Sequence, residues 1–468
     1  MPAAIAFSKG GLVVADLSVD FAGIRLENPL VASAGPVTAN VEMARKLRDA
    51  GVGAIVTKTG FTKKEYERWV GRKGIFPYKP VYKYQSLYKG RLLSLPTLSD
   101  VPVSDMARRV EHMKTLGVPI VGSIMGLTPQ GYRESARTLE SAGADALELD
   151  LCCTIPEFTS RYKYAGQSVN FRPKLYAKLV KTVKDSVSIP VGAKSTVSLY
   201  VYPKLLEGLI RAKLTNSLPD FVTLVGQLDE NPGVNLDTLE PLIPHISTFG
   251  WQGSLAKLTY SALATFSSAL GTRRPVLSAS GGIRDAQGVI TSMALGATTV
   301  QFQTAILDRG PKVLTKIRKD LEDYLTTHNI PALAEIVGRA SQSYIPSLLL
   351  GSFMLERDTL FGRVFARTDP DLCNGCGLCA EVCTEHAVQI KDERALIEKS
   401  GCRACNLCVL KCPQGAIRLQ NYEQLEALIE KYKQAEAGRS FRAFMGKQRI
   451  GLTDKLAMPV KLRRWGLG

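Results

Sequence analysis

Short apolar runs alternate with longer amphipathic stretches through the first two thirds of the chain. Eight of these runs stand at 30–35, 54–58, 119–123, 146–151, 190–194, 221–226, 276–282 and 299–305. Each is strand-length, and each is followed by enough patterned chain for a helix. Strand and helix in strict alternation imply parallel strands, and eight such units close on themselves. The pattern therefore predicts an α/β chain whose residues 1–320 form a (β/α)8 TIM barrel, with a short hairpin at 17–21 and 24–27 plugging the bottom. A helical pattern at 313–326 and an apolar run at 345–354 follow, and 321–365 reads as a docking linker. Beyond a cysteine-rich module at 366–420, an amphipathic helix at 422–437 leads into a basic tail, together making a last segment of 421–468.

Composition narrows the class. Of 468 residues, 45% are hydrophobic, enough for one large core and one or two small ones. The first residues lack a basic start followed by a long apolar run, and nowhere do about 18 uncharged apolar residues occur in succession, the length a spanning helix needs. The expectation is a cytoplasmic protein with no transmembrane segment. The formal charge of +17 is unevenly placed: residues 61–91 hold nine Lys or Arg against Glu65 and Glu67, and residues 438–468 hold eight against Asp454. A field of that sign recruits acidic carriers, anionic substrates, nucleic acid or an anionic membrane surface.

Eight of the ten cysteines form two runs, Cys373, Cys376, Cys379, Cys383 and Cys402, Cys405, Cys408, Cys412, both reading CxxCxxCxxxC. Two-residue gaps let successive thiolates turn around one iron–sulfur cube, while the fourth cysteine of each run reaches the other cluster. Cys373, Cys376, Cys379 and Cys412 are thus expected around one 4Fe-4S cluster, and Cys402, Cys405, Cys408 and Cys383 around a second. Four thiolates also suit zinc, but the duplicated run is the bacterial-ferredoxin pattern, and its chemistry is one-electron transfer. The second run ends Cys412-Pro413 as such ferredoxins do; the first ends Cys383-Thr384.

Active sites of these barrels lie where strands end. The residues there are Ser33, Ala34 and Gly35; Lys58 and Thr59; Ser123; Asp150, Cys152 and Cys153; Lys194; Gly226 and Gln227; Ser280, Gly281 and Gly282; then Gln303 and Thr304. The runs Val56-Thr57-Lys58-Thr59, Glu148-Leu149-Asp150-Leu151-Cys152-Cys153, Gly192-Ala193-Lys194 and Ala279-Ser280-Gly281-Gly282-Ile283 together resemble the dihydroorotate dehydrogenase family. With a two-cluster module attached, residues 17–420 look like the C-terminal part of dihydropyrimidine dehydrogenases.

The resemblance implies an FMN-dependent oxidoreductase acting on CH–CH groups. It places Ala34, Gly35 and Thr59 along the flavin, Lys58 and Lys194 at its pyrimidine edge, and Gly253, Ser280, Gly281, Gly282, Gln303 and Thr304 around ribityl and phosphate. Two ammonium groups there stabilise the negative charge a reduced flavin gathers at N1 and O2. Cys153 falls where dihydroorotate-oxidising enzymes keep their proton-transferring cysteine, and Cys152 reads as a small buried hydrophobe. Gln303 stands where the family has glycine.

The family's pyrimidine-binding members grip the ring with asparagines, which offer donor and acceptor together. Here Asp150, then Gly226 and Gln227, then 91–97 stand in those places, so a non-pyrimidine small-molecule substrate is expected. Residues 61–91 add eight aromatics to their nine cations, fitting a flat or anionic substrate or an acidic ferredoxin. No GxGxxG follows a strand. Electrons are therefore expected through the clusters, from a ferredoxin or an NAD(P)H-oxidising flavoprotein subunit, to a chain that assembles as a homodimer. The alternatives are a dihydropyrimidine- or dihydroorotate-dehydrogenase-type enzyme, a tRNA dihydrouridine synthase-like enzyme, and an electron-transfer subunit without its own substrate; nucleic acid is not an expected partner.

Overall fold

The computed structural model describes residues 15–70, 85–88, 91–93, 101–153, 162–196, 201–226, 229–230, 237–238, 248–249, 254–270, 274–341 and 350–434. The chain divides into two compact units, Met1–Ser267 with Thr272–Ser341, and Ser268–Gly271 with Gln342–Gly468.

In the first unit eight parallel strands form a ring: β1 Leu30–Ala32, β2 Ala54–Val56, β3 Ile120–Ile124, β4 Ala146–Leu151, β5 Val191–Ser195, β6 Phe221–Leu224, β7 Val276–Ser280 and β8 Ala297–Phe302. Each pairs with its neighbour in sequence, and β8 returns to β1 through Val300 opposite Leu30, which closes the barrel. Several strands stop two or three residues short of the apolar runs that predicted them. Gly35, Lys58, Gly226, Gly282 and Gln303 therefore lie just past the ladder, where the backbone is free to turn across the mouth.

A helix follows each strand: Val41–Asp49, Val103–Lys114, Pro129–Ser141, Pro173–Lys184, Val201–Leu214, Ser254–Leu270, Ala286–Ala294 and Lys312–Thr327. In Val103–Lys114 the buried positions are Val103, Met106, Val110 and Met113, the three-and-four spacing of one helix face. Asn40, Thr128 and Asp285 accept the backbone N–H of Met43, Gly131 and Gly288 at 2.9, 3.0 and 2.9 Å, caps that stabilise these helices by about 1 kcal/mol each. The last helix continues to Thr327, past residue 320.

The expected hairpin is present as Val19–Phe21 paired antiparallel with Ile24–Leu26. The Phe21 ring lies 4.5 Å from that of Phe221, the first residue of β6, so the hairpin closes the end of the barrel where the strands begin. Chemistry is left to the other end. There the short strand Gly60–Phe61 pairs with Val101–Pro102 and Ile124, bracketing the long segment after β2. Within that segment Gln85–Tyr88 pairs antiparallel with Arg91–Leu93, which lies against the short helix Thr304–Arg309 that follows β8.

The second unit opens with helix Leu350–Asp358. Strand Phe365–Thr368 pairs with Ile417–Gln420, and Val388–Lys391 pairs with Arg394–Ile397, both antiparallel. Its core joins Ala366, Val388, Ala395 and Ile417 to Cys379, Cys402 and Cys408. Helix Tyr422–Gln434 docks on the opening helix, with Tyr432 Oη donating to Glu356 Oε2 at 2.9 Å and the Phe353 and Tyr432 rings edge to face at 5.5 Å. Among the described residues no helix is long and apolar enough to cross a membrane.

Candidate functional site

The barrel interior is polar at its heart. Glu148 on β4, Lys194 on β5, Thr223 on β6, Ser278 on β7, and Thr299 and Gln301 on β8 are all buried. Lys194 Nζ donates to Ser33 Oγ at 2.6 Å and to Gln301 Oε1 at 2.9 Å. Gln301 Nε2 donates to Glu148 Oε2 at 2.7 Å and to Thr223 Oγ1 at 3.1 Å, and Thr223 Oγ1 itself donates to Glu148 Oε2 at 2.7 Å. Sequence reasoning singled out Lys194 but gave no role to Glu148, Thr223 or Gln301. The available signal was a polar residue at every second position of otherwise apolar strands, the inward half of a period-two pattern.

A second constellation crowns β2 to β6. Thr59 Oγ1 donates to Asp150 Oδ2 at 2.8 Å and lies 3.0 Å from Ser123 Oγ. Asp150 Oδ1 accepts both the backbone N–H and the thiol of Cys152, at 3.3 and 3.2 Å. Asp150 stands opposite Lys194 in the β4–β5 register. A Cβ on Gly226 would come within 2.7 Å of Cys152 Sγ and 3.5 Å of Lys194 Cε, so thiol, carboxylate and ammonium gather beside one glycine. Cys152 is buried as expected, but in polar company. Burial, then the neighbouring Asp150 carboxylate, push its thiol well above the ordinary value, and the Lys194 ammonium pulls it part of the way back. Cys153 is half-buried just past β4, its carbonyl accepting the N–H of Gln167 at 3.0 Å. Lys58 is half-buried just past β2.

The implied flavin positions divide into two groups. At β1 and β8, Gly35 is buried and Ala34 and Thr304 half-buried. A Cβ on Gly35 would sit 2.5 Å from the Gln303 amide, so the glycine exists to let that side chain in. Gln303 Oε1 and Nε2 are buried and have no hydrogen-bond partner among the described residues. At β7, Gly281 and Gly282 take φ of 103° and 78°, open to glycine and strained for other residues. A Cβ on Gly282 would lie 2.3 Å from the backbone N of Ala256, in the first turn of helix Ser254–Leu270. Thr259 Oγ1 fastens the turn by donating to the carbonyls of Ser280 and Gly281 at 3.1 and 2.9 Å. A glycine turn pressed against a helix start offers several N–H groups to an anion. Gly253 lies outside the described residues.

In the second unit, Cys373, Cys376, Cys379 and Cys412 line one cavity with Ile390, Ala395 and Ile417. Among the described residues no three His, Cys, Asp or Glu side chains close around a single-ion centre; these four thiols surround a space instead. Cys402 and Cys408 are buried, Cys383 half-buried and Cys405 exposed. The two halves repeat each other in detail, since the N–H of Ala387 donates to Cys383 Sγ and that of Ala416 to Cys412 Sγ, each at 3.3 Å. His386 takes a positive φ of 53° where the second half has Gly415 at 59°.

The sequence pattern of the dihydroorotate dehydrogenase family matches residues 16–325. The chain belongs to the dihydroorotate dehydrogenase family. A 4Fe-4S dicluster domain pattern matches residues 372–417. As a family member the chain is a flavoprotein oxidoreductase acting on CH–CH groups, with an iron–sulfur domain appended. The Escherichia coli K12 protein named NAD-dependent dihydropyrimidine dehydrogenase subunit PreA is 26% identical over 380 residues, covering 80% of this chain and 86% of that one. The catalytic subunit of dihydroorotate dehydrogenase B (NAD(+)) from Methanothermobacter thermautotrophicus is 25% identical over 328 residues, covering 69% and 98%. The crystal structure of dihydroorotate dehydrogenase from Eimeria tenella in complex with ferulenol shares the fold, with a TM-score of 0.55 at 13% identity over 69% of this chain and 88% of that one.

Proposed function

We propose that this family member reduces or oxidises a C=C/CH–CH bond of a small, non-pyrimidine, flat or anionic substrate, with FMN in the barrel and two 4Fe-4S clusters in the second unit. The observation that carries this reading is the Asp150 carboxylate, which already accepts from Thr59 and Cys152. A carboxylate is acceptor-only, whereas a ring amide asks its partner for a donor as well. A site that leaves a ring carbonyl unpaired discriminates strongly against that ligand.

The chain's polar inventory fits FMN. The orphaned Gln303 amide beside Gly35, and the side-chain-free turn at Gly281 and Gly282 against Ala256, call for a polar ligand and an anion. Ala34, Gly35, Thr59, Gln303 and Thr304 would hold the ring and ribityl, Ser280, Gly281 and Gly282 the phosphate, and Lys58 and Lys194 the pyrimidine edge. Bound FMN supplies hydride transfer at carbon and exchanges single electrons with iron–sulfur clusters. Lys58 and Lys194 offset negative charge at that edge. Cys153, half-buried past β4, handles the proton at the carbon next to the one that takes hydride. Cys373, Cys376, Cys379 and Cys412 hold one cluster, and Cys402, Cys405, Cys408 and Cys383 the other. A ferredoxin or a flavoprotein subunit oxidising NAD(P)H exchanges electrons with them, and the basic stretch 61–91 receives the anionic part of the substrate.

The test is anaerobic. Chemically reduced holoprotein is mixed in turn with aromatic enones, α,β-unsaturated coenzyme A thioesters, uracil and orotate, and flavin reoxidation is followed by absorbance. Reoxidation by an enone or thioester and not by the pyrimidines supports the reading; reoxidation by uracil or orotate alone overturns it.

A further inference from the structure

Lys194 has a part in the proposed chemistry; the charge beneath it does not. Lys194 is 5% exposed, and its hydrogen-bond acceptors among the described residues, Ser33 Oγ and Gln301 Oε1, are both neutral. One amide further in, Glu148 is 0% exposed, with Oε2 accepting from Gln301 Nε2 and Thr223 Oγ1, and with Oε1 unpartnered among the described residues. A carboxylate in so dry a place is costly unless a cation answers it.

Gln301 joins the two. Its oxygen faces the ammonium and its nitrogen faces the carboxylate, at 2.9 and 2.7 Å. The reverse orientation would aim an NH2 at an NH3+ and an oxygen at an anion, so the two charges fix the amide between them. An amide polarised from both ends binds each end more strongly. Lys194, Gln301 and Glu148 thus form an ion pair conducted through one side chain, running down the barrel from the mouth.

We propose that Glu148 is a positioning residue that acts through Gln301: it fixes Lys194 at the flavin edge and offsets part of that lysine's charge, and so sets the reduction potential of the bound flavin. The inference rests on the reading above, that FMN meets Lys194. In a low-dielectric interior an anion one amide away from a cation subtracts appreciably from the field that the cation projects to the mouth. Removing the anion leaves Lys194 less compensated, and a less compensated cation favours the reduced, negatively charged flavin.

Glu148→Gln tests this with little change of shape. The new amide oxygen still accepts from Gln301 and Thr223, and only the charge is gone. Thr223→Val is the control, since it removes the hydroxyl that donates to Glu148 and accepts from Gln301 while leaving the Glu148 charge and the Gln301 bridge to Lys194. FMN content of the full-length protein is measured first, and the flavin midpoint potential is then read by anaerobic spectroelectrochemical titration. Sulfite binding to the oxidised flavin serves as an independent gauge of the positive field. Glu148→Gln is expected to retain FMN, shift the potential to more positive values and bind sulfite more tightly, with Thr223→Val staying near wild type. A wild-type or more negative potential in Glu148→Gln, or failure of that variant to fold while Thr223→Val folds, would overturn the proposal and leave Glu148 a structural residue. Wild-type protein that binds no FMN would instead overturn the flavin reading on which the proposal stands.

Discussion

The Cys152 thiol turns back on its own strand end and donates to Asp150 Oδ1 at 3.2 Å. That contact separates the roles of two adjacent cysteines. Cys152 is held protonated in the interior, and Cys153, half-buried at the following position, is the thiol assigned to proton transfer. Cys153→Ser is expected to lower kcat about 10²- to 10⁴-fold, the usual worth of a positioned acid or base, while FMN content stays at the wild-type level. Cys152→Ala is expected to leave kcat within about threefold. Steady-state kinetics of the two variants with the same substrate check the assignment, and the reverse ranking would exchange the roles.

Cys152 also gives stability a pH signature. Burial raises its thiol above the ordinary 9.0, so the folded state holds a proton that the unfolded state releases as pH climbs past that value. The thiol's contribution is complete below about pH 9 and is lost as pH rises towards the folded-state value, at up to about 1.4 kcal/mol per pH unit. Urea unfolding of wild type and Cys152→Ala between pH 8 and 10.5 checks this. The variant is expected to show the shallower decline.

The proposed exclusion of pyrimidines rests on Asp150. Asp150→Asn keeps an oxygen for the Thr59 hydroxyl, which donates at 2.8 Å, and adds the donor that a ring carbonyl needs. Preference for pyrimidines over the native substrate, as a ratio of kcat/KM values, is expected to rise by about tenfold or more. Competition assays with uracil and orotate measure it.

Gln303 is the residue proposed here for the flavin pocket where the family has glycine. Its amide has no partner among the described residues, and satisfying it on FMN binding is worth about 1 kcal/mol. Gln303→Ala is expected to weaken FMN about five- to tenfold. Gly35→Ala, whose Cβ would fall 2.5 Å from that amide, is expected to weaken it further. Adding Gln303→Gly to Gly35→Ala should restore part of the loss. Fluorescence quenching of FMN titrated with apoprotein reads all three.

The crossed ligand is tested by removing it. Cys412 shares a cavity with Cys373, Cys376 and Cys379, although it stands 33 positions or more along the chain from them. Cys412→Ala is expected to cost one cluster and spare the other, halving iron from about eight to about four per chain. Iron quantitation with electron paramagnetic resonance of the reduced protein distinguishes this from loss of both.

What the sequence disclosed follows from the range of the forces involved. Strand periodicity is local, so all eight barrel strands, the Phe21 hairpin and the helix at 422 could be placed from neighbouring residues alone. The cysteine spacing is equally local, and its repeat grouped Cys412 with Cys373, Cys376 and Cys379, which line one cavity. The interior network is different in kind: Gln301 meets Glu148 across 153 positions of sequence and Lys194 across 107, and only barrel closure brings them together. Cys152 read as an ordinary buried hydrophobe, although Asp150 two positions earlier lies on the same side of a strand and accepts its thiol at 3.2 Å. The tie between Asp16 and Leu333, whose N–H donates to the Asp16 carbonyl at 2.8 Å, joins the start of the barrel to a stretch with no periodic signature at all.

The proposed function requires a flavin and iron in the same chain. Protein purified without oxygen is denatured, its released flavin is quantified by chromatography and its iron by colorimetry. One FMN and about eight iron atoms per chain are the predicted result. Material that carries full iron but no FMN, or FMN but no iron, would contradict it.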